Sequence, residues 1–460
     1  MDRHGAHIPF VTCGAYPIRR GNTVQPLVDG EPAFRRICEA VERARHSVWV
    51  TVAFVEPEFE MPDGRGSLFD VLDRAHARGV DVRVIFWRHL QLAALNSDTH
   101  FAGTEQERLT LQQRGSRFKA LWDQAHGRYC QHQKCWLMDA GSDDEIAFAG
   151  GINLTRSSVV SPGHAPSPTG NVHDVYVEVR GPAATDVHHN FVQRWNEASD
   201  RHDPGGSWPA ANPPDELPFP TAISEVAGEV PVQIQRTVRA GRYKNDIATP
   251  GGVAFSIAEG EFSIVEQYRQ AIDAARSTIY IEDQVIGAPE MVDRLHKALE
   301  RGVDVVLLVP IDPHSELLAS RHDEKSKPFF ESFAALGQHD HFLLAGLASS
   351  RSSDGYQNVY VHAKIALVDD LWCTIGSTNL ANRSFYGDTE LNASFWHGPT
   401  VASLRCELFH EHLVRDTANC GDREALQLFR TVARGNAERR KRGSALDGLA
   451  IALDPATYGS

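Results

Sequence analysis

The sequence predicts an α/β layered chain made of two halves of one duplicated fold. Three observations carry this: helix-like stretches alternate with β-branched runs, blocks of residues recur in the same order in both halves, and a Pro/Gly-rich stretch divides them. In the first half the helix-like stretch 36–45 runs into the strand-like stretch 47–52, and 268–276 followed by 277–281 echoes it. Arg78-Gly79-Val80-Asp81-Val82 returns as Arg301-Gly302-Val303-Asp304-Val305. The runs 303–309 and 365–368 are rich in β-branched and aliphatic residues, as buried strands are. From 200 to 228 the chain reads Asp203-Pro204-Gly205-Gly206, Asn212-Pro213-Pro214 and Pro218-Phe219-Pro220, with no sustained periodicity. The expected division is therefore an N-terminal lobe over 1–199, a linker over 200–228, a C-terminal lobe over 229–432 and a tail over 433–460. The basic stretch 434–442 reads as a solvated helix end rather than a phosphate-binding arm.

Composition removes several function classes. With 46 Lys and Arg against 60 Asp and Glu, the net charge is −14 and the pI about 5.9. Such a chain repels extended polyanions, so no nucleic-acid partner is expected. No apolar run approaches the roughly 18 residues that a membrane-spanning helix needs. The opening residues lead into no signal-like apolar segment, and seven scattered cysteines read as free thiols. The expected location is cytoplasmic, with peripheral contact to a membrane. Cys130 and Cys135 lie near His126 and His132 but lack a CxxC spacing, and they read as thiols rather than zinc ligands.

The chemistry lies in the repeated residues. His132, Lys134 and Asp139 recur at the same spacing as His362, Lys364 and Asp369. Gly150-Gly151-Ile152-Asn153 is matched by Gly376-Ser377-Thr378-Asn379, and His173-Asp174 by Thr389-Glu390. In an extended strand the histidine and lysine of each set share a face, while the aspartate faces away or lies beyond the strand end. Two such pairs meeting at a pseudo-twofold axis suit one anionic centre. One imidazole attacks while the other protonates a leaving group, and the lysines with Asn153 and Asn379 stabilise phosphoryl oxygens. Asp174 and Glu390 are placed to accept a histidine N–H and fix its tautomer. A lysine beside each histidine repels a cation, so no catalytic metal and no cofactor are expected.

These blocks resemble the phospholipase D superfamily, whose signature is the duplicated HxKxxxxD motif, over roughly residues 35–412. His173-Asp174-Val175, Gln193-Arg194-Trp195-Asn196 and Ile279-Tyr280-Ile281-Glu282-Asp283-Gln284 are most similar to the phosphatidylcholine-type enzymes. The resemblance implies two α/β/α sandwich lobes packed about a pseudo-twofold axis, one shared active site, and a phosphohistidine intermediate. It implies that His132 is the nucleophile and His362 the general acid, and that Lys134, Lys364, Asn153, Asn379 and Ser377 contact the phosphate. Asp283-Gln284 departs from the usual Glu-Asn-Gln of that family. The implied reaction is hydrolysis of the distal phosphodiester of a glycerophospholipid at a membrane surface, with transphosphatidylation, by a monomer. A cardiolipin synthase-like transferase is the alternative, ahead of a nuclease or a non-catalytic lipid-binding protein. Stretches 90–127, 154–171 and 236–260 flank the motifs and are the expected membrane-facing loops. Phe118 and Trp122 within them suit the core better than a lipid surface.

Overall fold

The computed structural model describes residues 7–89, 99–125, 127, 129–211, 214–350 and 355–459. In the first half the strands lie in the order Arg19–Val28, Val175–Arg180, Ile146–Gly150, Cys135–Met138, Ser47–Val52, Asp81–Arg88, Lys119–Gln124. In the second half the order is Val230–Val238, Glu390–Phe395, Trp372–Gly376, Lys364–Val368, Thr278–Asp283, Asp304–Leu308, Phe342–Ser350. The two orders match position for position, and so do the parallel pairings at the end of each list. The first strands of the two orders pair antiparallel with each other, Arg19 with Val232 and Asn22 with Val230. Equivalent strands paired antiparallel are related by a local twofold, so one mixed sheet runs through both lobes.

Alternation along the strands puts a helix layer on each face. Val48, Val50 and Val52 point to helices Gly30–Arg43 and Leu68–Ala77, while Trp49 points to the inner core. In the second half Ile279 and Ile281 face helices Ser263–Ala274 and Pro289–Glu300, and Tyr280 faces inward. The inner core packs helices Ala184–Asn196 and Gly398–Leu413 between the lobes through Val187, Phe191, Leu408 and Phe409. Each buried Val, Ile, Leu or Phe contributes roughly 1.5–3 kcal/mol. The repeated Arg-Gly-Val-Asp block has a local cause. Gly79 (φ 87°) and Gly302 (φ 81°) end helices in the left-handed region, and the following residues enter parallel strands.

Three expected boundaries move. Residues 8–16 pack on the second lobe, where Gln233 donates to the carbonyls of Val11 and Tyr16 and Trp396 to that of Ile8. The stretch 200–228 is pinned to the first lobe rather than hanging free. Ser207–Trp208 pairs with Lys119–Gln124, and Trp195 donates to the Asp215 carbonyl at 2.9 Å. Helix Asp422–Lys441 crosses the 432/433 boundary, and Ala450–Leu453 pairs with Phe342–Ser350, so the stretch expected as a tail is, over its described residues to 459, part of the second lobe. The basic residues Arg439, Arg440 and Lys441 form the last turn of that helix, where cations suit the dipole. Among the described residues no helix is long and apolar enough to cross a membrane.

Candidate functional site

His132 and His362 lie just before their strands, Cys135–Met138 and Lys364–Val368, rather than within them. Each is held by the opposite lobe. The His132 amide donates to the Thr389 carbonyl at 2.9 Å, and the His362 amide to the His173 carbonyl at 2.8 Å. These are symmetry-equivalent bonds: the Gln131–Thr389 bridge on one side of the axis answers the pairing of Val361 with His173 on the other.

The carboxylates also cross over. Nδ1 of His132 lies 3.0 and 3.1 Å from the Glu390 oxygens, and Nδ1 of His362 lies 2.5 Å from Asp174 Oδ2. A carboxylate that accepts Nδ1–H leaves the lone pair on Nε2. Both imidazoles line one cleft of about 540 Å³, together with Asn153, Asn379, Gln284 and Arg383. Asn153 Nδ2 is 3.5 Å from His362 Nε2, and the side-chain oxygens of Asn153 and Asn379 are buried without a hydrogen-bond partner. Lys134 and Lys364 lie beneath the histidines, 3% and 1% exposed. Lys134 Nζ donates to the His132 carbonyl at 2.8 Å; Lys364 Nζ donates to the His362 carbonyl and, at 3.1 Å, to Gln284 Oε1. Gln284, whose position departs from the family pattern, also donates to the Tyr360 hydroxyl at 3.0 Å, so it ties Lys364 to the cleft wall.

Burial sets the charges. It pushes Asp174 up to about 7 against the pull of Lys364, and Glu390 up to about 7 against that of Lys134. It lowers Lys364 to about 8 against the pull of Asp174, and lowers Lys134 as well. Burial, then the adjacent lysine, holds both histidines well below the ordinary imidazole value. Each imidazole–carboxyl pair therefore exchanges one proton close to neutral pH.

Three expected site residues lie elsewhere. Asp139 (φ 53°) accepts the amides of Arg45, His46 and Ser47, and Asp369 (φ 57°) those of Arg276, Ser277 and Thr278. They sit at the far ends of the strands, fastening each helix-to-strand turn, and they do not line the cleft. Asp139 opens instead on a separate surface depression with Arg36 and Arg45. Ser377 is fully buried and donates to Glu390 Oε2 at 2.5 Å, so it steadies the carboxylate rather than meeting substrate. Its counterpart is glycine for a steric reason: a Cβ on Gly151 would come within 2.4 Å of Asp174 Oδ1.

Asp388 and Asp283 were not singled out by sequence. Asp388 accepts Cys130 N–H at 2.6 Å and Arg383 Nε–H at 2.9 Å, and burial followed by Glu390 pushes it up to about 6. Asp283, pushed up to about 7 by burial, accepts the amides of Val285 and Leu380. Their signal was position: Asp388 stands two residues before Glu390, and Asp283 immediately before Gln284.

Phe118 and Trp122 are core residues, and Arg236 is buried in an ion pair with Glu261 at 2.7 Å. Stretch 154–171 turns inward between the lobes through His164 and Asn171, while 236–260 exposes Ile247 and Val253. The seven cysteines are free; burial raises Cys130, and raises Cys135 to about 11. His126 and all of 90–98 lie outside the described residues.

A sequence family described as cardiolipin synthase, PLD-like domain, matches residues 37–195 and 268–412, and one described as phospholipase D matches 158–292. Phospholipase D A of Dictyostelium discoideum is 24% identical over 463 residues, covering 83% of this chain and 33% of that protein. Cardiolipin synthase A of Pseudomonas entomophila is 26% identical over 388 residues, covering 84% of this chain and 67% of that protein. The chain thus spans about a third of the Dictyostelium protein's length. The crystal structure of a phosphatidylserine synthase from Haemophilus influenzae superposes with a TM-score of 0.58 at 13% identity, covering 94% of this chain and 97% of that one, and shows the shared fold.

Proposed function

The chain belongs to the phospholipase D superfamily, and on that premise we propose that it cleaves the distal phosphodiester of glycerophospholipids, giving phosphatidic acid and a head-group alcohol. The observation that carries this reading is the pair of crossed imidazole–carboxyl contacts, His132 with Glu390 and His362 with Asp174, opening on one cleft. His132 Nε2 attacks phosphorus while the departing alkoxide takes the Nε2 proton of His362. A P–N bond forms and the P–O bond to the head group breaks. An incoming hydroxyl then gives its proton to His362 and attacks phosphorus, and the P–N bond breaks to restore His132. Lys134 and Lys364 beneath the imidazoles offset the charge that develops on the phosphoryl oxygens, and Asn153 and Asn379 reach them from the cleft wall. The substrate meets the protein from a membrane surface as a peripheral contact.

A second reading, transfer of the phosphatidyl group to the hydroxyl of another lipid, is favoured by the cardiolipin synthases among the relatives. One experiment separates the two. Vesicles of phosphatidylcholine and, separately, of phosphatidylglycerol are incubated with the purified chain with and without ethanol. Phosphatidic acid that gives way to phosphatidylethanol supports hydrolysis through a phosphohistidine. Cardiolipin with free glycerol, from phosphatidylglycerol alone, supports the transferase. Phosphatidic acid with no alcohol product at any ethanol concentration rules out the covalent intermediate.

A further inference from the structure

We propose that Asp29, His164, His173 and Glu411 form a zinc site that fastens the two lobes together behind the active cleft. All four side chains are buried, and one donor atom from each lies within 4.8 Å of the others. The spacings suit one ion. His164 Nε2 is 3.4 Å from Asp29 Oδ2, 3.2 Å from Glu411 Oε1 and 3.3 Å from His173 Nδ1, while His173 Nδ1 is 2.9 Å from Asp29 Oδ1 and 3.8 Å from Glu411 Oε2. Tetrahedral zinc with bonds of about 2.0–2.1 Å places its ligand atoms about 3.3–3.4 Å apart.

The tautomers point the same way. His164 Nδ1 bonds Asn171 Oδ1 at 2.6 Å, and His173 Nε2 bonds Glu282 Oε2 at 2.8 Å. An imidazole whose one N–H is used outward can turn its other nitrogen inward to a metal, the cation replacing the proton that His173 Nδ1 otherwise shares with Asp29 Oδ1 at 2.9 Å. Two ring nitrogens 3.3 Å apart facing one space cannot both carry a proton there without repulsion, but both can bind one cation. Asp29 Oδ2 and Glu411 Oε2 are buried without a hydrogen-bond partner. Glu282 is itself held by the Tyr280 hydroxyl at 2.7 Å and His412 Nε2 at 3.1 Å. Asp29 (φ 65°) and His164 (φ 49°) both hold left-handed backbone, which non-glycine residues rarely adopt. A donor set of two imidazoles and two carboxylates favours zinc over magnesium or calcium.

Three ligands come from the first lobe and Glu411 from helix Gly398–Leu413 of the second. His173 immediately precedes Asp174, so the ion would fix the strand that presents that carboxyl to His362. The proposal is independent of the reaction above, and the ion takes no part in the chemistry. The test is metal content. The full chain is expressed with added zinc, purified without chelator or metal-affinity tag, and measured by inductively coupled plasma mass spectrometry. About one zinc per chain is expected, kept through dialysis against EDTA and released on unfolding in guanidinium. Less than about a tenth of an equivalent, or another transition metal in its place, overturns the proposal. His164→Ala should lose the zinc; full retention by that variant overturns the site. Should His164→Ala fail to fold, X-ray absorption at the zinc edge of the wild-type protein decides. Two imidazoles and two oxygens at about 2.0–2.1 Å support the site; sulfur ligands overturn it.

Discussion

The two half-sites are built from equivalent residues yet are not equivalent in detail. Around His132 the partner is a glutamate, accepting a second bond from Ser377, and the lysine donates to the His132 carbonyl and lies over the face of Phe54 at 5.9 Å. Around His362 the partner is an aspartate, seated against Gly151 and the Val175 amide at 2.8 Å, and the lysine is held by Gln284 as well. The proposed reaction asks opposite duties of these two imidazoles. Both carboxylates are held by a second donor, Glu390 by the Ser377 side chain and Asp174 by the Val175 backbone, and on the proposed reaction the Glu390 contact keeps His132 in the tautomer a nucleophile needs. The short Asp174 contact suits an imidazole that gains and loses a proton in each cycle.

The largest effect that would break this comparison is loss of either imidazole. His132→Ala and His362→Ala are each expected to reduce turnover by about a thousandfold or more, with the double variant little worse than either. A lipid with a good leaving group should bypass the acid, letting a phosphoenzyme collect on His132 of His362→Ala. Mass spectrometry that finds the phosphate in wild-type protein on His362 instead would exchange the two roles. Next come Asp174→Asn and Glu390→Gln, each expected to cost about a hundredfold in kcat by disturbing the tautomer. Equal losses with good and poor leaving groups in both variants would erase the division of duty.

The pH profile follows from the same pairs. The nucleophile pair must be deprotonated and the acid pair protonated, with both carboxyls near 7 and Lys364 near 8. Activity should therefore fall below about 7 as the His132–Glu390 pair gains a proton. It should fall again above about 7 as the His362–Asp174 pair loses its proton, by about tenfold per unit on each side, and more steeply above about 8, where Lys364 loses its proton too. A kcat/KM still rising at pH 10 would remove Lys364 from its role. Ser377→Ala should cost about tenfold, since a hydrogen bond to a charged group contributes roughly 1.5–3 kcal/mol. Gly151→Ala should act on the other half by pushing Asp174 aside, so it impairs the acid step first. Asp139→Ala should be the mildest in kcat, within about twofold, yet lower the thermal midpoint because three backbone amides lose their acceptor.

The repeat made the layered α/β fold legible, because each recurring block corresponds to one structural step: Gly79 and Gly302 end helices, and Val80 to Val84 and Val303 to Leu307 are strand-like. The histidines, lysines and asparagines were legible for the same reason. Which carboxylate serves which histidine was not, since sequence order suggests partners within a lobe while the twofold exchanges them. Asp139 and Asp369 recur as faithfully as the histidines, but they recur because the duplicated turn needs an acceptor for three amides. Recurrence marks shared structure as readily as shared chemistry, and strand direction separates the two. The Asp29–His164–His173–Glu411 cluster had no spacing to betray it, as its members come from four segments spread over 29–411.

The crossed contacts also govern when activity first exists. Glu390 follows His132 by 258 residues and Asp174 precedes His362 by 188. At about 5–20 residues per second of synthesis, the ribosome needs about 13–50 s after making His132 before Glu390 emerges. Throughout that interval the N-terminal lobe holds a lysine and an imidazole with no carboxylate to orient them. On the proposed reaction a nascent or truncated chain is therefore inactive, and competence is expected only once the second lobe has closed on the first.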